Sequence, residues 1–290
     1  GGYKSATVCA RRAWVANVRK NNVVYDDRVY YTPVNRFATF PDSFYLDIGI
    51  SDGDSFTALH SVGNKLLAFK QKKLYIIDVS AASDAGWYLE SEYDGMGCLY
   101  QEAVTKSPFG VCWVNEDGVY IFTGEAAPVE LSLKLDDEDW RSATSTKVPA
   151  IGYDGKHKRL FILQDTGGGA SVSGAMNYVL IYDFSTQSWT TTAREFVLDG
   201  THGISRISNF VESFDGVYYN EYAVNQTSNN KAVHKLDLGG TEGTSGLTIR
   251  TKDIDFGSPG KVKKVYKAYV TARTLGSSTT LAVSRASDGS

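Results

Sequence analysis

The apolar and polar positions of this chain repeat one motif: a short apolar run, a tight polar turn, and a second apolar run that contains tyrosine. The motif is clearest between Ser51 and Thr123, where it occurs twice. The first copy has apolar runs at 66–69 and 74–77 around the turn 70–73, and the second has runs at 111–114 and 119–122 around the turn 115–118. Runs of this length, bounded by turn residues, predict β-hairpins.

The motif is found five times along the chain, with equivalent starts near positions 14, 65, 110, 150 and 209. A period of roughly 40 to 60 residues matches one four-stranded blade of a β-propeller. Asp-Gly pairs at 117–118, 154–155 and 215–216 are hairpin signals between strand-like runs, and no window has sustained helical periodicity. We therefore predict an all-β chain, a β-propeller with about five visible blades. A β-sandwich, the alternative, would have strands about every 8–12 residues without this long repeat.

A second phrase supports blades. At 180–190 the sequence reads LIYDFSTQSWT, an apolar strand ending in Tyr-Asp, a polar turn, and Trp189 at the start of the next strand. The stretch 77–80, followed by Trp87, repeats this phrase more loosely. Kelch-like propellers use a tryptophan at this place because its large ring can fill the space between neighbouring blades.

Composition changes after Leu238. We assign 1–238 to the propeller, 239–246 to a glycine-rich linker, and 247–290 to the start of a small β-sandwich domain that is expected to be truncated. The strand-like stretch 262–272 alternates apolar and polar residues, as a half-buried strand does. Both ends of the sequence look cut, so we expect a piece of a longer polypeptide.

Bulk composition narrows the class of protein. With 42% hydrophobic and 22% charged residues in 290, the chain is expected to be globular. A formal net charge of −3 argues against a strongly basic nucleic-acid binder. The sequence contains no apolar run of about 18 residues, so we predict no membrane span. The three cysteines form no metal-ligand or disulfide framework, and Cys112, within a strand pattern, is predicted to be a small buried hydrophobe.

Candidate chemical groups are few and scattered. The four histidines, His60, His157, His202 and His234, have no metal-ligand spacing, and no nucleophile motif is present. The Gly-rich insert 166–174 lies between strands and does not lead into a helix, so we predict a hairpin loop there and no phosphate site. We therefore assign no catalytic, cofactor-binding or metal residues and expect that the chain is not an enzyme.

Two acidic stretches leave alternatives open. Asp52-Gly53-Asp54 could offer two carboxylates to Ca²⁺, but it lacks the alternating ligands of a calcium loop, so a polar turn is favoured. The block 136–139 could supply a glycosidase-like carboxylate pair, although four adjacent charges are more typical of a solvated loop. In a channel-forming assembly the same block could repel passing DNA from the wall.

Several phrases, in this order, resemble a family of tailed-bacteriophage structural proteins. They are the segments 27–41, 51–54, 65–80, 109–120 and 253–266. The chain is similar to the tail tubular or nozzle proteins of short-tailed phages, in which a propeller core precedes a β-sandwich that opens with a phrase like DFGSPG, here at 255–260.

The resemblance implies a virion component of the phage tail: a homo-oligomeric ring, a hexamer, that serves as conduit and gate for genome ejection and catalyses nothing. Its implied partners are other tail proteins (adaptor and fibres) and transiently passing viral DNA. The long Gly-rich and Asn-rich loops would be candidates for gating. Two other functions stay open: a receptor- or glycan-binding propeller, and a propeller hydrolase, which requires a carboxylate pair near the propeller axis.

Overall fold

The computed structural model describes residues 2–135, 149–163, 179–192, 205–223 and 231–236. The chain divides into two compact units, Gly1–Leu238 and Gly239–Ser290. The predicted linker at 239–246 and β-sandwich at 247–290 lie outside the described residues, as do the acidic block 136–139 and the Gly-rich insert 166–174. The assignments made for these segments therefore stay predictions.

The described residues are organised as five antiparallel sheets. Blade 1 comprises β1 (Ser5–Cys9), β2 (Arg12–Lys20), β3 (Val23–Tyr31) and β4 (Tyr45–Asp47). Blade 2 comprises β5 (Phe56–Val62), β6 (Lys65–Lys70), β7 (Lys73–Asp78) and β8 (Tyr88–Asp94). Blade 3 comprises β9 (Val104–Ser107), β10 (Gly110–Val114), β11 (Val119–Phe122) and β12 (Val129–Glu130). Blade 4 comprises β13 (Ala150–Asp154), β14 (Arg159–Leu163), β15 (Val179–Asp183) and β16 (Ser188–Thr192). Blade 5, in the described residues, comprises β17 (Ser205–Ser213), β18 (Gly216–Ala223) and β19 (Lys231–Lys235).

Each sheet is a simple up-and-down meander, so strands adjacent in sequence are hydrogen-bonded neighbours. The first strands of consecutive blades contact one another, from β1 to β5, β5 to β9, β9 to β13, and β13 to β17. A series of four-stranded meanders joined along their first strands is the architecture of a β-propeller. The predicted all-β propeller is therefore confirmed.

The blades begin one strand earlier than the sequence motif predicted for the first three copies. Three copies of the motif, which begin near 14, 65 and 110, begin in the second strand of a blade, whereas the copies that begin near 150 and 209 begin in the first strand. Counted from their first strands, the blades begin at Ser5, Phe56, Val104, Ala150 and Ser205, a more even spacing of 46 to 55 residues. The motif was misplaced because it followed the strongest hairpin, which is not the same hairpin in every blade.

The predicted hairpin turns form, and their polar side chains hold them. Asn115 Oδ1 accepts hydrogen bonds from the backbone N–H groups of Asp117 and Gly118. Asp154 Oδ1 does the same for Lys156 and His157. Such side-chain bonds satisfy turn donors that have no ladder partner, which is why Asn and Asp are favoured there.

Both predicted tryptophan wedges are present. Trp189, on β16, packs against the core shared by blades 2, 3 and 4 and donates Nε1–H to the carbonyl of Leu131 in blade 3, at 2.9 Å. Trp87, just before β8, packs at 5.2 Å from the ring of Trp14 and 4.9 Å from that of Tyr31, both in blade 1. Each ring therefore fills the space between its own blade and the preceding one.

Helical structure is minor. The described residues contain single-turn 3-10 helices at Asp84–Gly86, Gln101–Ala103 and Ser132–Lys134. Within that part of the chain, no helix has both the length and the apolar character needed to cross a bilayer.

Candidate functional site

The sulfhydryl groups lie in the blade cores. Cys9, Cys98 and Cys112 are free and buried, as predicted for Cys112. Burial raises the pKa of Cys9 to about 11 and that of Cys98 and Cys112 to about 12. The thiolate is the reactive form of cysteine, so these three groups are held in an unreactive state near neutral pH.

Two of the four histidines can be placed with their side chains. Burial, helped by the charge of Lys106, lowers the pKa of His60 to about 4, so this ring is neutral in the folded blade. His157 lies in the β13–β14 turn, as predicted, with Nδ1 2.6 Å from Asp154 Oδ2. His202 lies outside the described residues, and His234 belongs to β19. No group of three or more His, Cys, Asp or Glu side chains in the described ranges could hold a metal ion.

The acidic turn 52–54 joins blade 1 to blade 2. Lys70 Nζ donates to both carboxylate oxygens of Asp52 at 2.8 Å. Asp54 accepts from the backbone N–H groups of Gln71 at 3.1 Å and Lys72 at 2.9 Å. These carboxylates are used inside the protein, so the prediction of a polar turn is confirmed.

Lys70 is the centre of a buried ion cluster. Its side chain is fully buried, and Nζ donates to Asp27 at 2.6 Å, to the carbonyl of Gly49 at 2.8 Å and to Asp52. An ammonium group has three N–H donors, and these partners can use all of them. Gly49 has φ +63°, and a Cβ there would lie 2.5 Å from the hydroxyl of Tyr75, so a residue without a side chain is required.

The ion cluster is a structural tie rather than a reactive site. Lys70 belongs to blade 2 and Asp27 to blade 1, so the cluster links neighbouring blades. Burial by itself would raise the pKa of Asp52, but hydrogen bonding to Lys70, to the N–H of Asp54 and to Tyr75 holds it below its usual range. The ammonium group thus offsets part of the charge of the two carboxylates that converge on it.

The face of blade 1 that points away from blade 2, here called the outward face of blade 1, carries a cluster of Arg28 and tyrosines. The guanidinium carbon of Arg28 lies 3.6 Å from the ring centre of Tyr45 and 5.1 Å from that of Tyr25. Arg28 also donates two hydrogen bonds to Asp47, at 2.6 and 3.0 Å. Val8 lies on the same face, because it is paired with Ala13 of β2. Side chains alternate along β2, so Ala13 points to the opposite side from Trp14, which faces blade 2.

The corresponding outward face of blade 5 points away from blade 4. Val217 and Tyr219 pack on blade 4, so the alternation of β18 turns Tyr218 to the other side. Val211, opposite Tyr218, is 55% exposed and Val233 is 69% exposed. Beside them Asp215 accepts hydrogen bonds from Tyr218 at 2.8 Å and Lys235 at 3.1 Å, which lower its pKa.

The two outward faces were not found from the sequence. The alternation of β3 and β4 places Arg28, Tyr30 and Tyr45 on one side, and that signal was available in DRVYY and YLD. It does not say whether another blade covers that side. Val211 and Val233 look like ordinary strand residues, so their exposure can be learned only from the packing of the blades.

Comparison with known proteins gives a likeness of fold. No protein-family model matches the sequence, and no curated protein matches it. A catalytically inactive virginiamycin B lyase from Staphylococcus aureus, solved with quinupristin, is similar with a TM-score of 0.48 and 11% identity over 81% of this chain and 70% of that one. The WD40 domain of SCAP from fission yeast is similar with a TM-score of 0.37 and 10% identity over 78% of this chain and 61% of that one. The β-propeller domain of Vanderwaltozyma polyspora Nup133 is similar with a TM-score of 0.37 and 8% identity over 79% of this chain and 73% of that one.

Proposed function

We propose that this chain is a structural component of a bacteriophage tail, similar to the nozzle or tail tubular proteins of short-tailed phages. In this role it assembles as a ring, a hexamer, around the path of the ejected genome and acts without catalysis. The observation that carries the proposal is the exposure of apolar side chains on the outward faces of both the first and the last described blade. Exposed apolar surface on a folded domain is typical of an assembly interface.

The phrases that resemble the phage family support a scaffold role. The segment 109–120 forms most of the β10–β11 hairpin, in which every strand residue is buried. Segments 27–41, 51–54 and 65–80 supply Asp27, Asp52 and Lys70, the three charged groups of the cluster between blades 1 and 2. The described residues behind the resemblance thus build and join blades, which is what a ring-forming scaffold requires; segment 253–266 lies outside them.

Cryo-electron microscopy of purified virions tests the proposal. We expect density that fits the five described blades, repeated around the tail axis, between the adaptor and the fibres. Mass spectrometry of the same particles should detect this chain as one of their proteins. Particles in which every tail density is accounted for by other chains would contradict the proposal.

The Arg28–tyrosine cluster favours a second candidate, a receptor- or glycan-binding propeller. Tyrosine faces stack on the C–H faces of sugars, and the planar groups of Arg28 and Asp47 can pair with hydroxyl groups. Tyr45 is 37% exposed and is therefore accessible to a ligand.

If the second candidate is right, the purified chain binds defined saccharides on a glycan array and Tyr45→Ala removes that binding. Tyr88→Ala is the matched control, because Tyr88 is an exposed tyrosine on an outer strand of blade 2. Binding that survives Tyr45→Ala, or no binding by the wild-type chain, would argue against a saccharide site on this face.

A further inference from the structure

Consecutive blades of this chain pack through two different faces, always in the same order. In blade 2, Leu66 and Ala68 join the core shared with blade 1, whereas Leu67 and Phe69 join the core shared with blade 3. Blade 4 repeats the arrangement, since Ile162 faces the blade 3 side and Phe161 the blade 5 side. We call the side of a blade that points toward the preceding blade its earlier face, and the side that points toward the following blade its later face. Each contact therefore joins the later face of one blade to the earlier face of the next.

Among the described residues, each terminal blade has one face on which no neighbouring blade of the series packs. Blade 1 uses Trp14 and Val29 toward blade 2, and its opposite face carries Val8, which is 57% exposed, and Tyr45. Blade 5 exposes Val211 and Val233 on its own outward face, as described above. The two exposed faces are thus the earlier face of the first blade and the later face of the last blade. Inside the chain, every contact between blades joins one face of each kind.

We propose that the outward face of blade 5 packs on the outward face of blade 1 in a second copy of this chain. The contact would continue the blade-on-blade series from one copy into the next. It is heterologous, because two different faces meet, and repeated heterologous contacts generate rings when the rotation closes. The inference deepens the proposed function and rests on it for the choice of a second copy as the occupant.

The polar groups beside the two faces are compatible with such a contact. On blade 1, Arg28 is paired with Asp47 through two hydrogen bonds. On blade 5, Asp215 is paired with Lys235 and Tyr218. Since these charges already have partners within their own face, apolar contact between the faces does not leave an isolated charge away from water.

Sedimentation velocity on the purified full chain tests the interface with two variants. The first carries Val211→Asp and Val233→Asp on blade 5, and the second carries Val8→Asp and Tyr45→Ser on blade 1. We expect the wild-type chain to associate as concentration rises, and each variant alone to have a dissociation constant raised by about tenfold or more. Val129→Asp is the control, because Val129 is 53% exposed on β12 of blade 3, away from both faces.

Mixing the two variants gives the decisive result. One copy then has an intact blade 5 face and the other an intact blade 1 face, so an equimolar mixture should form a dimer and stop there. Circular dichroism and thermal melting of each variant establish that it is folded before mixing. A wild-type chain that stays monomeric at every concentration, variants that associate like the control, or a mixture that stays monomeric would each overturn the proposal.

The outcomes separate this inference from the proposed function. Restored dimers together with absence of the chain from the tail would overturn the tail role and leave the interface standing. A tail location with no association of the purified chain would leave the role and overturn the interface. Variants that melt well below the control while the wild-type chain is monomeric would show that the two faces meet within one chain, which also overturns it.

Discussion

Replacing Lys70 with methionine is expected to lower the free energy of unfolding by about 3–5 kcal/mol. The methionine fills a similar volume, but Asp27 and Asp52 lose the ammonium group that pairs with both of them. The side chains of Asp27 and Asp52 are 24% and 17% exposed, so the folded protein would hold two like charges close together with only part of their hydration. Removing one partner of a buried ion pair costs far more than the pair itself contributes.

Urea unfolding followed by tryptophan fluorescence measures the effect. Lys72→Met is the matched control, since Lys72 is an exposed lysine in the turn two residues away, and we expect it to change stability by less than about 0.5 kcal/mol. Adding Asp27→Asn and Asp52→Asn to Lys70→Met should recover part of the loss, because no unpaired charge is then buried. Equal stability of Lys70→Met and Lys72→Met would show that the cluster does not join the blades.

The free energy of unfolding should depend less steeply on pH, in the acidic range, in Lys70→Met than in the wild type. In the wild type, the pKa of Asp52 is below its usual range, so its stabilising contribution is present above the ordinary aspartate pKa and is lost as the pH falls through the folded-state value. In Lys70→Met the hydrogen bond and the charge of Lys70 no longer lower the pKa of Asp52, whereas the hydrogen bonds from the N–H of Asp54 and from Tyr75 remain, so the folded-state pKa moves back toward the ordinary aspartate value. The variant should therefore lose less of its free energy of unfolding than the wild type does as the pH falls through the range in which Asp52 is protonated.

Lys70 also illustrates what the sequence could and could not predict. The residue was assigned to a polar turn, 70–73, because three lysines and a glutamine stand together. In the structure Lys70 ends β6 and Lys73 begins β7, so the turn is formed by residues 71 and 72. Local composition predicted the hairpin correctly, but the partners of Lys70 come from positions 27, 49 and 52, and no local pattern indicates that contact.

The blades likewise have features that the local sequence predicts and features that it does not. Trp189 was predicted as a wedge because it follows a strand that ends in Tyr-Asp and a polar turn, a phrase that 77–80 and Trp87 repeat more loosely. The turn forms in both places: the backbone N–H of Ser80 donates to Asp78 and that of Ser185 to Asp183. The order of strands was predictable for the same reason, since hairpin signals are local. Blade boundaries and outward faces were not, because they depend on which hairpin lies beside which.

Replacing Trp113 with alanine is expected to cost about 3–5 kcal/mol of stability, because the ring fills the core between blades 2 and 3. Trp113 is fully buried, with ring centres of Phe69 at 5.2 Å and Tyr120 at 5.5 Å. The informative variant is the smaller change to phenylalanine. Nε1 of Trp113 is buried and has no hydrogen-bond partner among the described residues, a condition that costs about 1–3 kcal/mol.

Trp14 is the matched comparison for Trp113. It is also fully buried on the second strand of its blade and has aromatic partners at similar distances, Tyr31 at 5.1 Å and Trp87 at 5.2 Å. Its Nε1, however, donates to the carbonyl of Cys9 at 3.0 Å. Phenylalanine at 14 breaks that bond, whereas phenylalanine at 113 removes an unsatisfied donor, so we expect Trp14→Phe to lose about 1–2 kcal/mol more than Trp113→Phe in urea unfolding. Equal losses would show that Nε1 of Trp113 is bonded in solution, by a buried water between blades 2 and 3.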